Sequence, residues 1–207
     1  MHRIVYFLIF TISLWSLSPE EVLRGRIPSE DKRYGTMLRA LRLMQEREVG
    51  VVVETGTSRN GLSNCRGDGC STPIFSTWLR EVGAEFYSVD IDPAAIECAS
   101  KATEGLGNVF YVCGDSVRFL KSFDRTIDFL YLDSYDFDEK NPLPSQLHHL
   151  KEIEAAYPFL TERSVVMIDD CALPRGGKGA LAINFLQQRG WRILEKSYQV
   201  LLVYPSR

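Results

Sequence analysis

The stretch Val49–Ser58, VGVVVETGTS, decides how the rest of the chain is read. Gly50 ends a helical pattern, Val51 to Val53 form a short β-branched run, and Glu54 and Gly56 follow at once. A run that is apolar on both faces is what a strand buried inside a parallel sheet requires. A glycine past its carboxyl end lets backbone approach a ligand closely and accepts a positive φ. In open α/β sheets, ligands bind outside such strand ends.

Four more runs repeat the pattern. Phe86–Asp90 is followed by Asp92, Phe129–Asp133 and Val165–Asp170 end in aspartate, and Val109–Val112 precedes Gly114, Asp115 and Ser116. Acids favour turns, which accounts for one or two of these. Carboxylates at five strand ends along one edge instead predict a pocket. Helical periodicity separates the runs over 29–48, 74–82, 93–101, 117–121, 145–160 and 180–189, with Ser29 read as the cap of the first helix and Ser71–Pro73 as the start of the second. This alternation predicts an α/β, doubly wound, Rossmann-like sheet. The tail Trp191–Pro205 reads as two antiparallel strands.

At 207 residues the chain has room for one full-sized α/β domain, read here as 29–207. Its formal charge of -3 leaves no broad basic field, so nucleic acid is not an expected partner. The five cysteines, Cys65, Cys70, Cys98, Cys113 and Cys171, lack zinc-type spacing. Cys98 and Cys113 read as small core residues, while Cys65 and Cys70 flank RGDG as either a local disulfide or two free thiols. The connection Arg59–Cys70 is long for a compact domain and reads as a lid or a ligand-contacting loop. Residues 1–18 begin with Arg3 and run almost wholly apolar from Ile4 to Leu17, in the grammar of a signal peptide, an anchor or a misassigned start. Membrane contact is expected only through residues 4–17, with the domain on the cytoplasmic side and secretion as the alternative.

With those residues in place, the chain resembles the class I S-adenosylmethionine-dependent methyltransferases, and among them the small-molecule O-methyltransferases. The resemblance rests on ETGTS, on the acids after the second and third strands, and on YLDSYD. It implies a seven-stranded, mostly parallel sheet with its last strand antiparallel, and S-adenosylmethionine as cofactor. Glu54, Gly56, Thr57 and Ser58 would lie under the amino-acid end of that cofactor, Asp90 and Ile91 at the ribose, Asp115 or Ser116 against adenine, and Asp133 nearby. Ser58 stands where a second glycine is common in the family. A dehydrogenase is disfavoured, because no GxGxxG follows the first strand.

In the catechol-type branch, a divalent metal grips the substrate hydroxyl at positions matching Asp133, Asp169 and Asp170, so the likeness extends to Mg²⁺ at these three carboxylates. That branch carries a lysine three residues after its metal aspartate, where this chain has Asp136. The catalytic candidates are therefore Asp133 and one of His148 and His149 as general base. Lys178, between glycines, is a candidate for substrate contact, with an exposed lysine in a flexible turn as the default reading. The expected function is O-methylation of a small hydroxylated acceptor. The alternative is a non-catalytic cofactor-binding or degenerate domain of the same fold, with a regulatory or assembly role.

Overall fold

The computed structural model describes residues 17–205. The apolar segment read over residues 1–18 lies outside these, apart from Leu17 and Ser18. Among the described residues, no helix is long and apolar enough to cross a membrane.

The chain opens with a short helix, α1 (Pro19–Leu23), started by a capping box in which Ser18 and Glu21 satisfy each other's backbone donors. Five residues are too few to show periodicity, so only the capping signature could have announced it. Val22, Leu23 and Ile27 are buried against α2 (Tyr34–Glu46), so the packed domain includes residues before Ser29. Ser29 does not cap α2. The preceding residues form turns, with Asp31 accepting from the Arg33 amide at 2.8 Å.

Apart from α3 (Cys65–Asp68), a short helix inside the connection read as a loop, the remaining elements alternate as the pattern predicts: β1 (Val51–Thr55), α4 (Ser71–Val82), β2 (Glu85–Asp90), α5 (Pro93–Ala102), β3 (Val109–Cys113), α6 (Ser116–Ser122), β4 (Phe129–Leu132), α7 (Leu143–Ala156), β5 (Val165–Ile168), α8 (Ala180–Gln187), β6 (Arg192–Lys196) and β7 (Val200–Val203). Seven strands form one sheet in the order β3-β2-β1-β4-β5-β7-β6. β1 to β5 are mutually parallel, and β7 runs antiparallel between β5 and β6. The strand order reverses between β1 and β4, the switch point at which open sheets of this kind leave a crevice.

Side-chain alternation divides the core into two layers. Val52, Phe129, Tyr131 and Met167 pack with α1, α2 and α4, whereas Val53, Leu130, Leu132 and Ile168 pack with α6, α7 and α8. Being covered on both faces, β1, β4, β5 and β7 are buried along their whole length. Register then sets the site. Thr55 pairs with Val89 and Leu132, and Leu132 with Ile168, so the residues just beyond β1, β2, β4 and β5 emerge side by side.

Two cysteine readings change. Cys98 and Cys113 are exposed rather than core residues, because α5 turns Ala95 and Ala99 inward and β3 lies at the sheet edge. Cys65 and Cys70 form a disulfide across a sequence separation of 5. A loop this short removes about 2 kcal/mol of unfolded-state entropy. Reduction is therefore expected to lower the melting temperature by about 4–8 °C for a chain of this size. Thermal melts with and without reductant check this, and a Cys65→Ser, Cys70→Ser double variant should melt at the same temperature in both.

Candidate active site

The site grows from the turn after β1. Gly56 has φ +82°, and a Cβ there would collide with the Asp133 carbonyl oxygen, so only glycine allows this turn to lie against the end of β4. Its amide donates to the Val89 carbonyl at 2.8 Å. The Thr57 amide donates to Asp90 Oδ2 and the Asp92 amide to Asp90 Oδ1, both at 2.9 Å. Asp90 thus ties the β1 turn to the end of β2, and each of its oxygens keeps a further lone pair. Asp92 acts as the helix cap its sequence context suggests, accepting from the Ala94 amide at 2.9 Å.

Two cavities open on either side of this turn, sharing Gly56, Asp90 and Ser134. The first, of about 290 Å³, is lined by Ile91, Asp115, Ser116, Tyr135 and His148 among others. Ile91 is 73% exposed and Tyr135 47%, which leaves two large apolar side chains in solvent on the walls of one cavity. Asp115 also caps α6, accepting from the Arg118 amide at 2.7 Å, and Ser116 Oγ lies 3.2 Å from His148 Nε2. An apolar-walled pocket with a carboxylate at its mouth suits a nucleoside: flat faces for the base, two acceptor oxygens for a diol.

The second cavity, of about 190 Å³, is polar throughout and is lined by Arg33, Ser58, Arg59, Asp133, Asp170 and Lys178 among others. Gly67 and Asp68 bring the long connection to its rim. Arg33 fastens that connection by donating to the Arg66 and Gly67 carbonyls at 3.2 and 2.6 Å. Arg59 grips Asp136 through two bonds of 3.0 and 2.7 Å. Asp136 is therefore a partner of Arg59, with its carboxyl held below the ordinary range by that guanidinium.

The structure corrects the reading of Lys178 as an exposed turn residue. Its side chain is 2% exposed, with Nζ 2.5 Å from Asp133 Oδ1 and 3.1 Å from Asp170 Oδ2. The turn after β5 drives it there: a Cβ on Gly177, at φ +56°, would overlap the Asp170 carbonyl, and Gln146 on α7 donates to the Gly177 carbonyl at 3.1 Å. Burial alone would lower the pKa of Lys178. Asp133, Asp170 and Asp169 outweigh that and hold it above the ordinary lysine value, so it is a fixed cation. Burial raises the Asp133 carboxyl well above its usual range against the pull of Lys178, and Asp169 and Asp170 add to the rise.

This arrangement does not fit Mg²⁺ at Asp133, Asp169 and Asp170. A divalent ion bridging Asp133 and Asp170 at about 2.0–2.1 Å would coincide with the Lys178 ammonium. Asp169 is also committed, accepting from the Tyr131 hydroxyl at 2.9 Å and from the Asp170 amide at 2.8 Å. Among the described residues, no group of three or more His, Cys, Asp and Glu is placed to hold a metal.

Three further expectations are redirected. His149 is fully buried, its Nδ1 donates to the Ser145 carbonyl at 2.8 Å, and burial pushes its pKa down to about 4, so it is a neutral interior group that lines neither cavity. His148 lines the nucleoside-sized cavity instead of the polar one, and the Glu152 carboxylate beside it raises its pKa. Glu54 lines neither cavity. It lies beneath the turn, accepting from the Thr72 and Ser88 hydroxyls at 2.7 Å each, and burial pushes its carboxyl up to about 7. Thr72 also receives the Ser58 amide at 2.8 Å, so Glu54 acts on Ser58 through Thr72. Gly56, Thr57, Ser58, Asp90 and Asp133 do meet in one place. Arg33 and Arg59 escaped the sequence reading, and for Lys178 the glycines around it were the one sign of a constrained backbone.

Residues 66–171 match the model of a family described as a methyltransferase domain, just over half of the chain. A search of the curated proteins found no match. Solved structures with the same fold include SAH-bound methyltransferase PaMTH1 of Podospora anserina, at 13% identity and TM-score 0.58, covering 91% of this chain and 86% of that one. CalS11, a TDP-rhamnose 3'-O-methyltransferase of calicheamicin biosynthesis, aligns at 16% identity and TM-score 0.58 over 92% of this chain and 96% of its own. NSun6 of Pyrococcus horikoshii, solved with SFG, aligns at 14% identity and TM-score 0.60 over 81% of this chain, which spans only 51% of NSun6. The strand order, the glycine turn at the switch point and the family match together place the chain in the methyltransferase-domain family, as a class I S-adenosylmethionine-dependent methyltransferase.

Proposed function

We propose that the protein transfers the methyl group of S-adenosylmethionine to an oxygen of a small, neutral, hydroxylated acceptor. The observation that carries this is the meeting of the two cavities at Gly56, Asp90 and Ser134, one suited to a nucleoside and the other polar. In this reading Asp90 accepts the ribose hydroxyls, Ile91 and Tyr135 cover the base with Ser116 and His148 at its edge, and the turn Gly56–Ser58 faces the methionine end. The cofactor supplies an electrophilic methyl on a sulfonium.

The acceptor hydroxyl occupies the polar cavity beside Asp133. Its oxygen forms the new bond to the methyl carbon, the sulfur–methyl bond breaks with its electron pair staying on sulfur, and the hydroxyl proton passes to Asp133. Positioning supplies much of the acceleration. The second cavity sets six aspartates against Arg33, Arg59 and Lys178, and this acidic balance disfavours a polyanion, which supports a small acceptor over nucleic acid. Calorimetric titration with S-adenosylhomocysteine is expected to show one saturable site. No heat from folded protein would end the proposal, and an acceptor screen with labelled methyl donor then identifies the substrate class.

A further inference from the structure

In the resembling catechol-type enzymes a divalent cation stands among the strand-end carboxylates, and here the chain puts its own cation there. Nζ of Lys178 bridges Asp133 and Asp170, its side chain is 2% exposed, and it lines the polar cavity. The placement is built in from three sides. The turn is pressed against the Asp170–Cys171 backbone at Gly177, α7 holds it through Gln146, and Asp170 itself sits at φ 53°. An ammonium has three donors. Asp133 and Asp170 take two, which leaves one for a group in the cavity.

We infer that Lys178 is a catalytic residue that replaces the metal: it donates to the acceptor oxygen, and methyl transfer needs no divalent ion. This rests on the methyl-transfer reading above. It also narrows the acceptor. An ammonium is a compact point charge with directional donors and has no open coordination positions, so it can hold one oxygen and cannot chelate two. A single hydroxyl is therefore enough for recognition, and a vicinal diol gains no advantage.

The test uses the full chain, stripped with EDTA and titrated with Mn²⁺ while free Mn²⁺ is followed by its paramagnetic resonance signal. S-adenosylhomocysteine is titrated calorimetrically into the same preparations. Wild type is expected to show no saturable Mn²⁺ site. Lys178→Ala should gain one, which adding Asp133→Asn removes. A saturable wild-type site abolished by Asp133→Asn would overturn the inference, as would a folded Lys178→Ala with no site. If Lys178→Ala fails to fold, the wild-type titration alone decides. Absence of S-adenosylhomocysteine binding would defeat the methyl-transfer reading separately, leaving the Mn²⁺ result to judge the cation position. Once an acceptor is known, transfer should be indifferent to EDTA. Lys178→Ala should then lower kcat near neutral pH at least about 10-fold and move the pH profile of transfer upward, because the ammonium favours the deprotonated acceptor oxygen, with cofactor affinity unchanged.

Discussion

Asp90→Ala is expected to weaken S-adenosylhomocysteine about 100-fold in a chain that still folds. In the proposed complex the two carboxylate oxygens accept the ribose hydroxyls, and hydrogen bonds to a charged group contribute about 1.5–3 kcal/mol each. Two at the lower end total about 3 kcal/mol, or about two powers of ten in affinity. The same oxygens already accept from the Thr57 and Asp92 amides, so the carboxylate is oriented before any ligand arrives. Asp90→Asn keeps an acceptor on one side and should lose less. Calorimetry alongside far-UV circular dichroism checks both, and an unchanged dissociation constant in Asp90→Ala would remove the ribose from this end of the site.

Glu54→Gln is expected to stabilise the protein above neutral pH and leave it little changed near pH 4.5. Burial raises this carboxyl from 4.5 to about 7, so the folded state binds the proton more tightly than the unfolded chain does. The sign follows from linkage: wherever the native state holds more protons, stability falls as pH rises. For Glu54 that fall begins near 4.5 and is complete above about 7, and about 1.4 kcal/mol per unit makes it about 3 kcal/mol. Glutamine keeps an acceptor for Thr72 and Ser88 and carries no charge to bury. Denaturant unfolding from pH 4.5 to pH 8 should therefore show the variant gaining on wild type by about 3 kcal/mol across the range. A constant difference between the two would mean that Glu54 is already charged in the interior.

These effects show why one acid in the motif could be read from sequence and another could not. Asp90 and Glu54 look alike in the chain, each closing an apolar strand. Asp90 ends β2 at the cavity mouth, whereas Glu54 is one position short of the end of β1 and points into the layer containing Thr72 and Ser88. Register sets Glu54 beside Ser88, two residues before Asp90, so the two acids take the same face of the sheet and only depth along the strand separates them. His148 and His149 differ by face instead, since adjacent residues on a helix do not share one. One lines a cavity and the other is fully buried.

The sequence by itself determined the alternating elements, the parallel sheet with its antiparallel tail, the glycine turn at the switch point and the gathering of strand-end acids. These follow from periodicity, β-branching and glycine's conformational range, all written locally in the chain. Only the tertiary structure decided what balances those acids. Lys178 lies 45 residues after Asp133 along the chain, in a glycine-rich turn with no periodic signal. Its burial comes from the close packing of that turn on the Asp170–Cys171 backbone beyond β5 and from Gln146 of α7. Electrostatic partnership depends on distance in space, and in this sheet the crossover connections bring together groups that the linear sequence keeps apart.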